Sequence, residues 1–239
     1  MKPFSYFDLL DAFILSGCPV CRLLSADSER FLGLLLREST TDPGIQQRFR
    51  ASRGLCNHHA WQMREFKGYA SSVAVLYEAA LDELIGVLNS AASKNPATGL
   101  LRRISPGTPG DQAAGSLEAG QTCQCCDLMD QAEQRYIHTI ATHFGEDQMQ
   151  EAYRASDGLC LPHFRLLIQR LNNSDHVRMV AEAQIRKWQS LKGEIDLYLR
   201  NLDGMRLQEP MGAEGDSWIR AIEIVAGVRG VFGMRRKRE

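Results

Sequence analysis

The sequence predicts an all-α protein of two similar helical units, on three observations. Apolar residues recur at helical spacing through most of the chain, and no stretch alternates as a half-buried strand would. The arrangement C-x-x-C, helix-length stretch, C-x-x-H occurs twice, from Cys18 and Cys21 to Cys56 and His59, and from Cys123 and Cys126 to Cys160 and His163. Between the copies lies a stretch dominated by Ala, Gly, Ser and Pro, the composition of a flexible linker. The expected organisation is a first metal-binding repeat over 1–90 and a linker over 91–121. A second repeat over 122–202 follows, then a loop, C-terminal helix and basic tail over 203–239.

A chain of 239 residues with a formal net charge of −1 carries no electrostatic bias toward nucleic acid or a membrane surface. Nucleic acid is therefore disfavoured as a partner. Seven cysteines are too few for a disulfide scaffold, and all but Cys125 fall into the repeated pattern. C-x-x-C spacing without a secretory leader reads as metal or redox chemistry in a reducing compartment. The first residues are apolar, but Asp8 and Asp11 interrupt them and no basic n-region precedes them. No run reaches the ~18 uninterrupted apolar residues of a spanning helix. The expectation is a soluble, cytoplasmic protein.

The elements follow in order. Phe4, Phe7, Leu10, Phe13 and Ile14 mark an amphipathic first helix. Leu24, Phe31 and Leu35 mark a second, from Arg22 to about Glu38. Thr41-Asp42-Pro43-Gly44 breaks it, and Asp42 as N-cap with Pro43 at the first helical position starts a short helix to about Ala51. Gly54 stops that helix. Cys56–Phe66 reads as the next, and Val73, Tyr77, Ala80, Leu84 and Leu88 give a long one over Tyr69–Ser90. In the second half, Leu128 to Ile140, Gly145 to Ala155, Cys160 to Leu171 and Asp175 to Arg200 repeat the series. A last helix begins near Ser217, with Asp216 or Ser217 as its cap and Trp218, Ile222 and Val225 as its docking face.

The halves align on each other. Cys18 falls on Cys123, Cys21 on Cys126, Phe31 on Tyr136 and Leu35 on Ile140. After a one-residue slip, Phe49-Arg50-Ala51-Ser52 falls on Tyr153-Arg154-Ala155-Ser156, and Gly54-Leu55-Cys56 on Gly158-Leu159-Cys160. This is the signature of an internal duplication. His58 falls on Pro162, so His59 is the expected ligand. Cys125 falls on Val20, so Cys123 and Cys126 are the ligands and Cys125 is a spare, expected as a buried thiol with an alternative ligand as the second reading.

The expected metal ligands are therefore Cys18, Cys21, Cys56 and His59 in the first repeat, and Cys123, Cys126, Cys160 and His163 in the second. Three thiolates and one imidazole fill a tetrahedral Zn²⁺ shell and leave no open position, which marks a structural rather than a catalytic site. Arg50 and Arg154, at matching places, are candidate outer partners of the sulfurs. An iron–sulfur cluster is the alternative cofactor, since Cys₃His sets also carry one. A redox dithiol leaves the Cys56/His59 element unexplained, and covalent haem is disfavoured by Arg22 and Asp127 where C-x-x-C-H needs histidine. No Gly-rich phosphate loop or nucleophile elbow occurs, so no catalytic residue is named. The expected function is a zinc-stabilised binding or adaptor protein with a protein partner; the alternative is an iron–sulfur electron carrier or redox accessory protein.

Cys18-Pro19-Val20-Cys21, Arg53-Gly54-Leu55-Cys56-Asn57-His58-His59-Ala60-Trp61, Asp157-Gly158-Leu159-Cys160-Leu161-Pro162-His163-Phe164 and the segment from Glu209 to Trp218 together resemble a bacterial family, domain of unknown function 6062. The resemblance spans nearly the whole chain except the linker. It departs at the second knuckle, where Gln124 and Cys125 replace the C-P-x-C form. It implies a bacterial cytosolic protein with paired Cys/His motifs and supplies no activity.

Overall fold

The computed structural model describes residues 2–93, 108–203 and 212–232. Among them are eleven α-helices and no strand. They are α1 (Phe4–Phe13), α2 (Pro19–Leu34), α3 (Pro43–Ala51), α4 (Asn57–Arg64), α5 (Ala70–Ser93), α6 (Pro109–Leu117), α7 (Gln124–His143), α8 (Asp147–Ala155), α9 (Leu161–Arg170), α10 (Ser174–Asp203) and α11 (Ser217–Ala226). A π-helical turn, Leu35–Ser39, extends α2, and a 3₁₀ turn, Ala213–Asp216, leads into α11. None of the helices is long and apolar enough to cross a membrane.

Two compact units emerge. The first joins Met1–Asp27 to Met129–Glu239; the second is Ser28–Leu128. Both boundaries fall inside helices, α2 and α7.

In the first unit α1 packs on α8, and α11 packs on α9 and α10. The core is Tyr6, Leu9, Phe13, Leu24, Ile137, Ile140, Phe144, Tyr153 and Leu167, each 2% exposed or less. The α1 face differs from the expected one. Tyr6, Leu9 and Phe13 turn inward, and the Tyr6 hydroxyl donates to Glu146 Oε2 (3.0 Å) and Gln148 Oε1 (3.2 Å) at the start of α8. Phe4 and Ile14 are left 90% and 82% exposed. The helix has apolar residues on two sides, and the tyrosine's polar tip selects between them, a preference that apolar periodicity does not register.

In the second unit α3, α4 and α6 pack on α5. Its core is Leu32, Leu36, Phe49, Met63, Leu76 and Ala80. Asp42 caps α3 as expected, its Oδ1 accepting from Ile45 N–H at 2.9 Å. The expected linker is not bare of structure. Thr108 and Asp111 form a capping box with Pro109 at the first turn, and this starts α6. Gly120 and Gln121 then donate backbone N–H groups to the Ala51 carbonyl. The apolar island from Leu100 to Ile104 and the tail Arg235 to Arg238 lie outside the described residues.

The last helix also departs from expectation. Neither Asp216 nor Ser217 caps α11: Asp216 Oδ1 accepts from Arg220 Nε at 2.7 Å, and the Ser217 hydroxyl is buried without a partner. Trp218, Ile222 and Val225 are exposed rather than docked.

Gly54 and Gly158 have φ of +85° and +83°, the left-handed region that ends α3 and the turn after α8 and re-aims the chain into the next cysteine. The two are not equally constrained. A Cβ on Gly54 would meet Tyr77 at 3.3 Å, whereas one on Gly158 would lie 2.7 Å from Gln184 Oε1 and 2.8 Å from Lys187 Cδ. Gln184 Oε1 is already fixed by Tyr153 O–H (2.7 Å) and Leu159 N–H (3.1 Å). Gly158→Ala is therefore expected to destabilise the protein by about 1–3 kcal/mol, and by more than Gly54→Ala, in paired thermal melts.

Candidate metal centres

All four motif elements are helix starts. Cys56 and Cys160 stand at the N-cap positions of α4 and α9, and His59 and His163 lie in the first turns. The C-x-x-C elements follow the same plan. Cys18 and Cys123 directly precede α2 and α7, and their carbonyls accept from Arg22 and Asp127 N–H at 3.1 Å. Cys21 and Cys126 occupy the first turns. Ligands at i and i+3 thus share a face, and the positive end of each helix dipole meets developing thiolate charge.

The structure gathers the eight donors into two groups, each with its atoms within 4.8 Å of one another. One is Cys18, Cys21, Cys160 and His163, in the first unit; the other is Cys56, His59, Cys123 and Cys126, in the second. This corrects the expected pairing. Each C-x-x-C meets the C-x-x-H of the other copy, not its own. The register identified which residues correspond, but correspondence between copies carries no information about which copy supplies a neighbour.

In the first group, His163 Nδ1 lies 3.4 Å from Cys18 Sγ, 3.5 Å from Cys21 Sγ and 3.2 Å from Cys160 Sγ, and Cys21 and Cys160 sulfurs are 3.6 Å apart. All four residues are buried. His163 Nε2 is 3.2 Å from Glu133 Oε1, and Glu133 is itself 2% exposed. With Nδ1 turned to the sulfurs, Nε2–H donates to the carboxylate, which fixes the tautomer and raises the basicity of the ligand nitrogen. Phe232 covers the imidazole, its ring centroid 4.8 Å away. It is brought there by the left-handed turn at Gly227 (φ +84°) after α11.

In the second group, His59 Nδ1 lies 3.2 Å from Cys56 Sγ, 3.6 Å from Cys123 Sγ and 3.5 Å from Cys126 Sγ, and Cys56 and Cys126 sulfurs are 3.6 Å apart. His59 and Cys123 are buried, while Cys56 and Cys126 are only half-buried. Cys125 is fully buried and stands outside the four-donor set. His58 packs its ring on His59 at 5.0 Å and is likewise outside the set.

The crowding shows in the acid–base chemistry. Burial alone would lower the two imidazoles. Hydrogen bonds to Cys160, Cys18 and Glu133 instead push His163 up to about 11, and those to Cys123, Cys125 and Cys56 push His59 up to about 12. One thiol of each set is held low. Burial opposes this at Cys18, but hydrogen bonds from Cys160, Cys21 and His163 prevail. Cys123 is lowered by hydrogen bonds from Cys126 and Cys56. Cys21 and Cys126 are raised, because each sits against two neighbouring sulfurs that compete for charge. All seven cysteines are free thiols, so no disulfide joins these donors.

Arg50 Nε donates to the Gln46 carbonyl and Arg154 Nη2 to Gln150 Oε1, bonds along their own helices rather than to sulfur. The outer partner the sequence reading missed is Glu133. It falls on Ser28 in the repeat register, so a comparison that looked for residues shared by both copies passed over it. A carboxylate on the apolar face of α7, in helical register with Met129, Tyr136 and Ile137, was the available signal. Glu133→Gln is expected to weaken metal at the first group by about 10–100-fold and leave the second unchanged, in competition titrations with a chelator.

The model of a family of unknown function, DUF6062, matches residues 5–230. The chain belongs to that family. A search of curated proteins and a search of solved structures each found no match. The family membership fixes kinship and leaves the chemistry to the two donor groups.

Proposed function

We propose that each Cys₃His group takes one structural Zn²⁺ and that the protein is a zinc-stabilised helical binding or adaptor module. The donor spacing carries this reading. Tetrahedral zinc, with Zn–S of about 2.3 Å and Zn–N of about 2.0–2.1 Å, sets sulfurs about 3.8 Å apart and sulfur and nitrogen about 3.6 Å apart. Here one sulfur pair in each group is 3.6 Å apart, sulfur to Nδ1 is 3.2–3.6 Å, and all four donors lie within 4.8 Å of one another. Donors of an iron–sulfur cluster are divided between irons, and those on different irons stand farther apart than donors of one ion. Four protein donors also leave no place for substrate or water on the metal, so the ions act as cross-links and not as Lewis acids. The adaptor reading rests on the apolar side chains left outside: Trp218, Ile222 and Val225 on α11, and Phe4 and Ile14 at α1. Free thiols throughout suit a reducing, cytoplasmic setting.

Metal analysis of protein purified without oxygen tests the assignment. Two equivalents of zinc per chain, matching the two groups, and no visible absorption are expected. Bound iron with broad absorption near ~400 nm would replace this reading with the electron-carrier one. No stoichiometric metal would defeat both.

A further inference from the structure

The two centres have the same inner geometry and unequal access. In the first, the sulfurs of Cys21 and Cys160 are 3.6 Å apart, and the two residues are 0% and 1% exposed. A buried carboxylate steadies the histidine and Phe232 covers it. In the second, the matching pair, Cys56 and Cys126, is also 3.6 Å apart, but both residues are half-buried. Geometry that would let two sulfurs join is therefore present in both, and an external reagent meets it in only one.

We propose that Cys56 and Cys126 are an oxidative modification site at which a hydroperoxide releases the ion of the second centre. The proposal rests on the metal reading above. The chemistry is a two-electron oxidation. One thiolate, Cys56 or Cys126, attacks the hydroperoxide oxygen, breaks the O–O bond and becomes a sulfenic acid, while the departing oxygen takes a proton and leaves as water or alcohol. The other sulfur attacks the sulfenic sulfur; the S–S bond forms and hydroxide leaves, protonated to water. Two thiolates, two protons and one hydrogen peroxide become one disulfide and two waters. The cation loses two of its donors and keeps only Cys123 and His59. Cys125 is fully buried and is not a party to the bridge. The first centre, closed on every ligand, keeps its ion.

The test uses the full, metal-loaded chain. Metal content is measured first, then hydrogen peroxide is added with a chromophoric zinc indicator, and free thiols are counted. Peptide mapping locates any bridge. The expected result is release of one of two equivalents with loss of two thiols, a Cys56–Cys126 bridge, and recovery on adding a thiol reductant and zinc. The Cys125 thiol should remain free in the oxidised protein. Metal-loaded protein that keeps both ions, loses both at one rate, or carries its bridge at Cys21–Cys160 overturns this inference alone. Protein that holds no metal before oxidant is added overturns the metal reading and the release with it.

Discussion

Stripping the metal with a chelator under reducing conditions is expected to abolish the cooperative thermal transition of the protein. Each donor group brings together two helix starts that are far apart in sequence: 18–21 with 160–163, and 56–59 with 123–126. Structural zinc contributes about 10–16 kcal/mol per site in small zinc-finger peptides. A whole domain is stable by only about 5–15 kcal/mol, so even a fraction of that contribution decides folding. Circular dichroism melts with and without chelator check this. Retention of the parent transition in metal-free protein would mean that the apolar cores alone hold the two units.

Acidity should destabilise the metal-bound protein. The metal-bound chain needs thiolates and neutral imidazoles, so protons compete with the ion and stability is lost as pH falls. Between about pH 7 and about pH 5 the melting temperature of the metal-bound form should drop.

How much of this was legible beforehand differs by level. The helices were, because Asp42 and Pro43, the glycines at 54 and 158, and the long apolar stripes of α5 and α10 each carry a local signal. The identity of the donors was, because spacing of i and i+3 is local too. Their partners were not. Which helix start faces which is decided by tertiary packing, by Tyr153 and Leu24 in one unit and Phe49 and Leu76 in the other, and no local pattern encodes it. Helix α6 was hidden for a different reason. Thr108-Pro109-Gly110-Asp111 reads as a linker by composition, although Thr108 and Asp111 satisfy each other's orphan groups as a capping box. The exposed faces of α1 and α11 were misassigned because apolar periodicity finds a stripe without saying whether anything covers it.

The exchanged pairing makes a prediction that separates it from pairing within each half. Cys21→Ala combined with Cys160→Ala removes two donors from one centre, and the protein should lose a single equivalent of metal and keep the other at parent affinity. Cys21→Ala combined with Cys56→Ala removes one donor from each centre, and both ions should become labile to a chelator strong enough to strip a three-donor site. Within-half pairing reverses these outcomes. Stability should follow the same logic. The first combination acts on shared donors, so the second substitution costs little once the first has been made, and the two couple by about 0.5–3 kcal/mol. The second combination acts in separate units and should be additive within about 0.3–0.5 kcal/mol. Metal counting and a double-mutant cycle thus report one arrangement by independent routes. The metal count reads which sulfurs share an ion, and the cycle reads which helix starts that ion holds together.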